Sequence, residues 1–385
     1  MLKELIKYFY YLLDSAVILL RKGDNGFKAA KENKKGLFIV KTDLIGDYIL
    51  FRNFLEELRK SDKFKDWRIT VCGNPSWKEL ALEHDSKWAD EFIWLEPSKY
   101  AGNVLYRLKF NWRLRGERFD LLLNPIFSKD FIIDEAVSRA ARADKKIGQE
   151  GDLLNLSARQ KRISNSCYDK LIERPENTFF EFYLNKNFVE KVIGDKIDIE
   201  KPYLDTGKKN GYASKNPYAV IFPGAGEKSR RWNAVGFARV ADYLVKKYGW
   251  DVYIEGASGD ADLAQRVIDE CREKERIISR AGSSLTGFAK VLHSAEILIS
   301  NETMAVHLAA TLDIKTVCIS NGKYYGKCCP YPKKTGFRVE YVYPKEIRNY
   351  AGGYRDRIEK FGASQGFDLE SVGAKIVEKA VDAFN

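Results

Sequence analysis

The stretch GLFIVKTDLIGDYILFRNFLEELRK, residues 36–60, carries the deciding pattern. Residues 36–40 are a short apolar run headed by Gly36, the signature of a buried strand. A brief loop over residues 41–47 follows, and then Phe51, Phe54, Leu55 and Leu58 share one face of a helix. Strand, loop and amphipathic helix in this order open a βαβ unit, which predicts an α/β fold on a parallel sheet.

Working outward, further strands are expected at residues 68–72, 91–95 and 119–124, with helices between them. Apolar density falls over residues 185–216, where GKKNG (207–211) and SKNP (214–217) suit a linker. A second series then begins, with strands expected at 218–222, 250–255, 276–279, 296–300 and 315–320. Phe237, Val240, Ala241, Leu244 and Val245 mark a helix over residues 234–248; others are expected over 303–312 and, as a closing amphipathic helix, over 368–384. A chain of 385 residues is long enough for two domains with a ligand cleft between them. The expected division is an N-terminal helix and basic linker (1–35), a first Rossmann-like domain (36–200), a second Rossmann-like domain (201–340), and a C-terminal segment (341–385) packing back across the domains.

Composition is that of a globular protein, 45% hydrophobic and 31% charged. A net charge of +11 attracts nucleic acid, anionic lipid or phosphorylated small molecules. Nucleic-acid binding is set aside, because no basic run interleaved with exposed aromatics and no zinc-finger or RNA-binding signature occurs. Six cysteines without CxxC spacing, Cys328 and Cys329 included, read as reduced structural thiols of a cytoplasmic protein. At the N-terminus Leu2, Leu5, Ile6, Phe9, Leu13, Ala16, Val17 and Leu20 form an amphipathic helix that Lys3, Glu4, Lys7 and Asp14 interrupt too often for a bilayer span. It packs on the protein or a partner, or it lies on a membrane, where Arg21, Lys22, Lys28, Lys31, Lys34 and Lys35 would attract anionic headgroups.

Ligands of open parallel sheets bind beyond the carboxyl ends of the strands, so the loops there should hold the site. Loop FPGAGEKSRRW (222–232) combines Gly224, Ala225 and Gly226, which allow close backbone approach, with the charges of Lys228, Arg230 and Arg231. It suits a diphosphate, or is simply a solvated basic loop. In SNETMAVH (300–307), Thr303 or Asn301 can cap the following helix, whose free N–H groups then face an anion. His307, one turn inside, either orients the ligand or is a satisfied interior histidine. The loop KTDLIGD (41–47) ends on Asp47, a helix N-cap or a catalytic carboxylate.

Taken in order, KTDLIGD, FPGAG with Arg230-Arg-Trp232, GASGD (256–260) and NETMAVHLAA (301–310) resemble glycosyltransferase family 9, the bacterial ADP-heptose heptosyltransferases, over residues 36–332. The resemblance implies a GT-B fold, two Rossmann-like doubly wound domains facing a central cleft, and an inverting reaction without a metal or other cofactor. It implies that Asp47 is the base that deprotonates the acceptor hydroxyl, and that Lys41 and Gly46 belong to the donor-binding set. Arg230 stands where the family has a phosphate-contacting Lys, keeping the charge with a different geometry. Glu302 replaces the family's Asp and Met304 its glycine; with Thr303 and Ala305 they occupy the helix start that cradles the diphosphate. Glu255, at a strand end, faces the ribose hydroxyls. Asp260-Ala-Asp262 matches a metal-binding Asp-x-Asp formally, but it opens a helix after a glycine turn and is assigned to capping.

The implied partners are a nucleotide-sugar donor and a lipopolysaccharide-core or other glycan acceptor, at an anionic membrane surface on the cytoplasmic side. Two rival readings share the scaffold: a nucleotide-sugar isomerase or epimerase, and a non-catalytic scaffold protein.

Overall fold

The computed structural model describes residues 2–20, 34–205, 214–362 and 365–384. Residues 207–211 of the expected linker and Arg21, Lys22, Lys28 and Lys31 lie outside this set. The chain divides into two compact units, Met1–Asp198 and Ile199–Asn385.

In the first unit the strands are β1 (Gly36–Lys41), β2 (Arg68–Gly73), β3 (Glu91–Trp94), β4 (Arg118–Asn124), β5 (Arg142–Gln149) and β6 (Lys170–Ile172). Its helices are α1 (Leu2–Leu20), α2 (Ile45–Ile49), α3 (Asn53–Lys60), α4 (Lys78–His84), α5 (Pro97–Gly102), α6 (Val104–Arg115), α7 (Asp134–Ala140), α8 (Ala158–Asn165) and α9 (Glu181–Ile193). The strands pair in parallel in the order β3-β2-β1-β4-β5-β6. Every residue of β1 is buried, as expected for a central strand covered on both faces. Phe38, Val40, Cys72, Leu122 and Val137 build the core on one side of the sheet.

The second unit repeats the plan with β7 (Tyr218–Phe222), β8 (Asp251–Ile254), β9 (Ile277–Ser279), β10 (Ile297–Asn301), β11 (Thr316–Ile319) and β12 (Val339–Val342). Helices α10 (Ala234–Tyr248), α11 (Ala261–Glu270), α12 (Leu285–His293), α13 (Met304–Leu312), α14 (Tyr354–Phe361) and α15 (Ala374–Asp382) flank them. The order is β12-β11-β10-β7-β8-β9, again parallel throughout. α10 starts where the Asn233 side chain accepts from Gly236 N and stops at Gly249, whose φ of 66° is the left-handed region that favours glycine.

Several expectations needed correction. The linker expected from residue 185 begins later, because α9 continues to Ile193 and closes on Gly194 at φ 93°. β12 runs across residue 340, so the segment beyond it finishes the second sheet rather than standing apart. The closing helix expected over 368–384 is a short turn at Leu369–Ser371 and then α15 from Ala374, with Gly373 as its N-cap. Val377 and Val381 of α15 join the core of their own unit. The N-terminal helix is present, but the face turned inward is Tyr10, Asp14 and Val17, while Leu5, Ile6 and Phe9 of the expected apolar face are exposed.

Candidate active site

Each sheet reverses its strand order once: between β1 and β4 in the first unit, and between β10 and β7 in the second. Loops leaving the carboxyl ends of those strands diverge there and leave a crevice.

In the first unit the reversal is lined by the loop from Lys41 to Asp47. Its backbone is held from the neighbouring strand end: Asn74 Nδ2 donates to Thr42 O (3.3 Å) and Trp77 Nε1 to Asp43 O (3.1 Å). Gly73 is required beneath, since a Cβ there would sit 2.1 Å from the Trp77 ring. Tyr48 stacks flat on Trp77 at 3.8 Å, and its hydroxyl donates to Asp85 (2.7 Å). Arg52 grips the same buried carboxylate through Nε (3.0 Å) and Nη2 (2.6 Å). Buried pairs of this kind lose about 3–5 kcal/mol when one partner is removed, so α2 is firmly set.

Asp47 sits in the first turn of α2, half-buried, while the N-cap position belongs to Leu44. The capping role is thereby excluded. No described residue hydrogen-bonds its carboxylate. Lys41, expected among the donor contacts, has its ammonium wholly buried and bonded to Asp43 (2.8 Å). Burial, together with the Asp47 and Glu181 carboxylates and against the pull of Lys41, pushes the Asp43 carboxyl up to about 7. Gly46 lies in the same helical turn as Asp47.

Sequence reasoning missed the other wall of this reversal. Asn124, at the end of β4, is fully buried and donates to the Tyr168 hydroxyl (2.8 Å), while Lys129 is buried 3.2 Å from Glu135. A charged pair inside a loop has no periodic signature, and only the Asn and Lys after an apolar strand hinted at it.

In the second unit Asn301 is the staple. Its Oδ1 accepts from Trp232 N (3.0 Å) and its Nδ2 donates to Pro223 O (2.7 Å), tying both ends of the 223–232 loop to β10. Helix capping falls to Thr303, whose Oγ1 accepts from Ala305 N (3.2 Å). Gly224 is needed because a Cβ would meet Asp260 at 2.4 Å. Asp260 accepts from Ala257 N (3.2 Å) in the short turn ahead of α11; it stands at the N-cap of α11, where its side chain makes no capping hydrogen bond.

Arg230 donates through Nη2 to the backbone oxygen of Glu302, lies 3.7 Å from its carboxylate, and stacks at 5.0 Å over Tyr324. Glu302 is buried and accepts from the Ser320 hydroxyl, and Glu255 accepts from Arg280 Nε (3.0 Å). Burial raises the Glu255 carboxyl above its ordinary value. Arg230 Nε, Glu302 Oε1 and Glu255 Oε2 are buried without a hydrogen-bond partner. Orphans of this kind cost about 1–3 kcal/mol each, and a polar ligand would relieve them. Lys228, Gly226 and Ser229 are exposed on the same loop, Ala225 is buried beneath it, and Met304 is half-buried at the start of α13. His307 proves to be an interior histidine, its Nδ1 2.9 Å from the Tyr331 hydroxyl. The loop after β11 was not anticipated: Asn321 Nδ2 donates to Ser229 O (3.1 Å), and Lys323 pairs with Glu227 at 2.7 Å.

The family model described as glycosyltransferase family 9 (heptosyltransferase) matches residues 107–338. The chain belongs to glycosyltransferase family 9. Membership makes it a glycosyltransferase; the loop bearing Asp47 precedes the matched range. Its GT-B fold is shared with solved structures at low identity. E. coli heptosyltransferase WaaC, solved with ADP-2-deoxy-2-fluoro heptose, is 16% identical, with 91% of this chain and 100% of that one covered at a TM-score of 0.67. A family 9 glycosyltransferase from Veillonella parvula is 16% identical over 92% and 98% of the two chains, TM-score 0.67. E. coli ADP-heptose LPS heptosyltransferase II is 15% identical over 91% and 98%, also at 0.67. No curated protein matches in sequence.

Proposed function

We propose that this family 9 enzyme is an inverting, metal-independent transferase. It moves a heptose or related sugar from an ADP-sugar, or another nucleotide-sugar donor, to a lipopolysaccharide core or other surface-glycan acceptor. It works in the cytoplasm, associated peripherally with an anionic membrane to which its +11 charge draws it. The observation that carries the reading is in the second unit. Arg230 and the Thr303-capped start of α13 flank one strand-order reversal, and buried orphan oxygens of Glu302 and Glu255 lie at strand ends. That is a site for a diphosphate with hydroxyls on either side. The ADP-heptose analogue named with WaaC supports an ADP-linked heptose as donor.

In this reading the second unit holds the donor and Asp47 serves the acceptor. The acceptor hydroxyl oxygen bonds to the anomeric carbon as its proton passes to Asp47, and the bond from that carbon to the diphosphate oxygen breaks. One displacement on the opposite face inverts the centre. Charge growing on the departing phosphate is met by Arg230, Lys228 and the N–H group of Met304, fixed donors standing where other transferases use a divalent cation. Glu255 takes the ribose hydroxyls. Glu302 and Met304, longer and bulkier than the residues usual in the family, shape the sugar pocket.

Incubating the purified protein with a panel of nucleotide-sugars, with and without lipopolysaccharide-core acceptor, tests the proposal. ADP should be released from ADP-heptose only when acceptor is present, and chelation should leave the rate unchanged. A donor rearranged without acceptor would favour the isomerase reading, and no release from any donor would favour the scaffold.

A further inference from the structure

The outward side of α1 is an apolar stripe left uncovered by the described residues. Leu5 is 60% exposed, Phe9 54%, Leu12 66% and Leu19 69%, and with Ala16 they follow one another at three- and four-residue steps along one side of the helix. Solvent-facing stripes of this length mark a surface that something covers.

The helix is nevertheless fastened down. Asp14, 1% exposed, takes Arg107 Nε (2.7 Å) and Nη2 (2.5 Å) and Asn111 Nδ2 (2.7 Å) from α6, and Arg107 also stacks over Tyr10 at 4.8 Å. Tyr8 and Tyr11 pack on Phe131, at 5.9 and 5.7 Å. A mere packing helix would turn its apolar side inward; this one is seated by a buried ion pair with its apolar side out.

The surroundings choose the occupant. α6 and α8 both touch α1, the latter through Gln160 to Glu4 (2.8 Å) and Arg159 over Tyr8 (5.0 Å). Between them they carry seven Lys or Arg and no Asp or Glu, with Lys109, Arg113, Arg159 and Arg162 exposed. α6 adds Leu105 (68% exposed) and Trp112 (49%), seven residues apart on one side. Residues 21–35 carry six basic side chains against Asp24 and Glu32. Two copies meeting stripe to stripe would bring these cations together, whereas an anionic bilayer offers acyl chains for the stripe and phosphates for its rim. Among the described residues no helix is long and apolar enough to cross a membrane.

We propose that α1 lies in the surface of an anionic bilayer, its Leu5, Phe9, Leu12 and Leu19 stripe among the acyl chains and the cations of α6 and α8 at the headgroups. This rests on the peripheral-membrane reading above and names the element that performs it. The test is co-sedimentation of the full chain with vesicles of phosphatidylcholine, with or without phosphatidylglycerol, for the wild type and for Leu5→Ser/Phe9→Ser/Leu12→Ser. Those side chains are exposed, so the fold and ADP release with a soluble truncated acceptor should persist. Wild type should pellet only with phosphatidylglycerol vesicles, and the triple variant should bind at least about tenfold more weakly. Equal pelleting of the two proteins would overturn the assignment of α1, even if membrane binding itself stood. A wild type that ignores both vesicles and forms a dimer broken by the triple substitution would give the stripe to a second copy. ADP release in the same samples reports separately on the transferase reading.

Discussion

At the residue scale, the carboxylates of the 41–47 loop have different environments and different expected behaviour. Asp47 has no hydrogen bond from any described residue. Asp47→Asn is expected to bind ADP normally while kcat falls by about a hundredfold or more, measured by single-turnover transfer and ADP titration. Near-normal turnover would remove Asp47 from the reaction. Asp43 holds its proton up to about 7 in the folded chain, far above the roughly 3.9 of an unfolded aspartate. The folded state therefore binds the extra proton across that window. The stability this supplies is complete below the unfolded value and is lost as pH rises through about 7. Urea midpoints of wild type should thus fall relative to Asp43→Asn between pH 5 and 8, by on the order of 2 kcal/mol, and a difference that does not change with pH would contradict the buried cluster. Asp43 was passed over in the sequence because its shift comes first from burial, with Asp47 and the distant Glu181 adding to it, and burial exists only in the folded chain.

At the element scale, most strands were legible because a buried parallel strand is a continuous apolar run, as in β1 and β7, where every residue is buried. Three strands were not. β5, RADKKIGQ, carries charges that are satisfied sideways, Arg118 to Asp144 at 2.8 Å and Lys146 to Ser138 O at 2.6 Å. β6 and β12 are short sheet edges whose half-exposed residues lack the run. The inward face of α1 was also misjudged, since a lone Asp14 among apolar residues reads as a solvated interruption until Arg107 is seen across from it. Asp14→Ala would leave that guanidinium buried and unpaired. Loss of about 3–5 kcal/mol is expected, with faster amide exchange across α1 than across β1, read by hydrogen exchange. Exchange in α1 unchanged from wild type would mean the pair does not hold the helix.

At the scale of the whole molecule, each unit has its own six-stranded sheet, and every residue proposed for the donor site apart from Lys41 and Gly46 belongs to the second. Residues 199–385 expressed alone are expected to bind ADP, raising their melting temperature with the logarithm of ADP and adding about 2.7 kcal/mol at a hundredfold excess over Kd. An isolated second unit that folds but shows no shift would place essential donor contacts elsewhere. What the sequence by itself determined was the βα rhythm, the two-unit plan and the family, because strand runs, helical spacing and ordered motifs are written in neighbouring residues. The tertiary structure alone decided which side of α1 faces out, that the Lys41 ammonium is buried against Asp43, and that Asn301 staples while Thr303 caps. The seating of α1 and the staple depend on partners distant in sequence, Arg107, 93 positions from Asp14, and Trp232, 69 from Asn301, and only the packed chain brings such groups within hydrogen-bond reach.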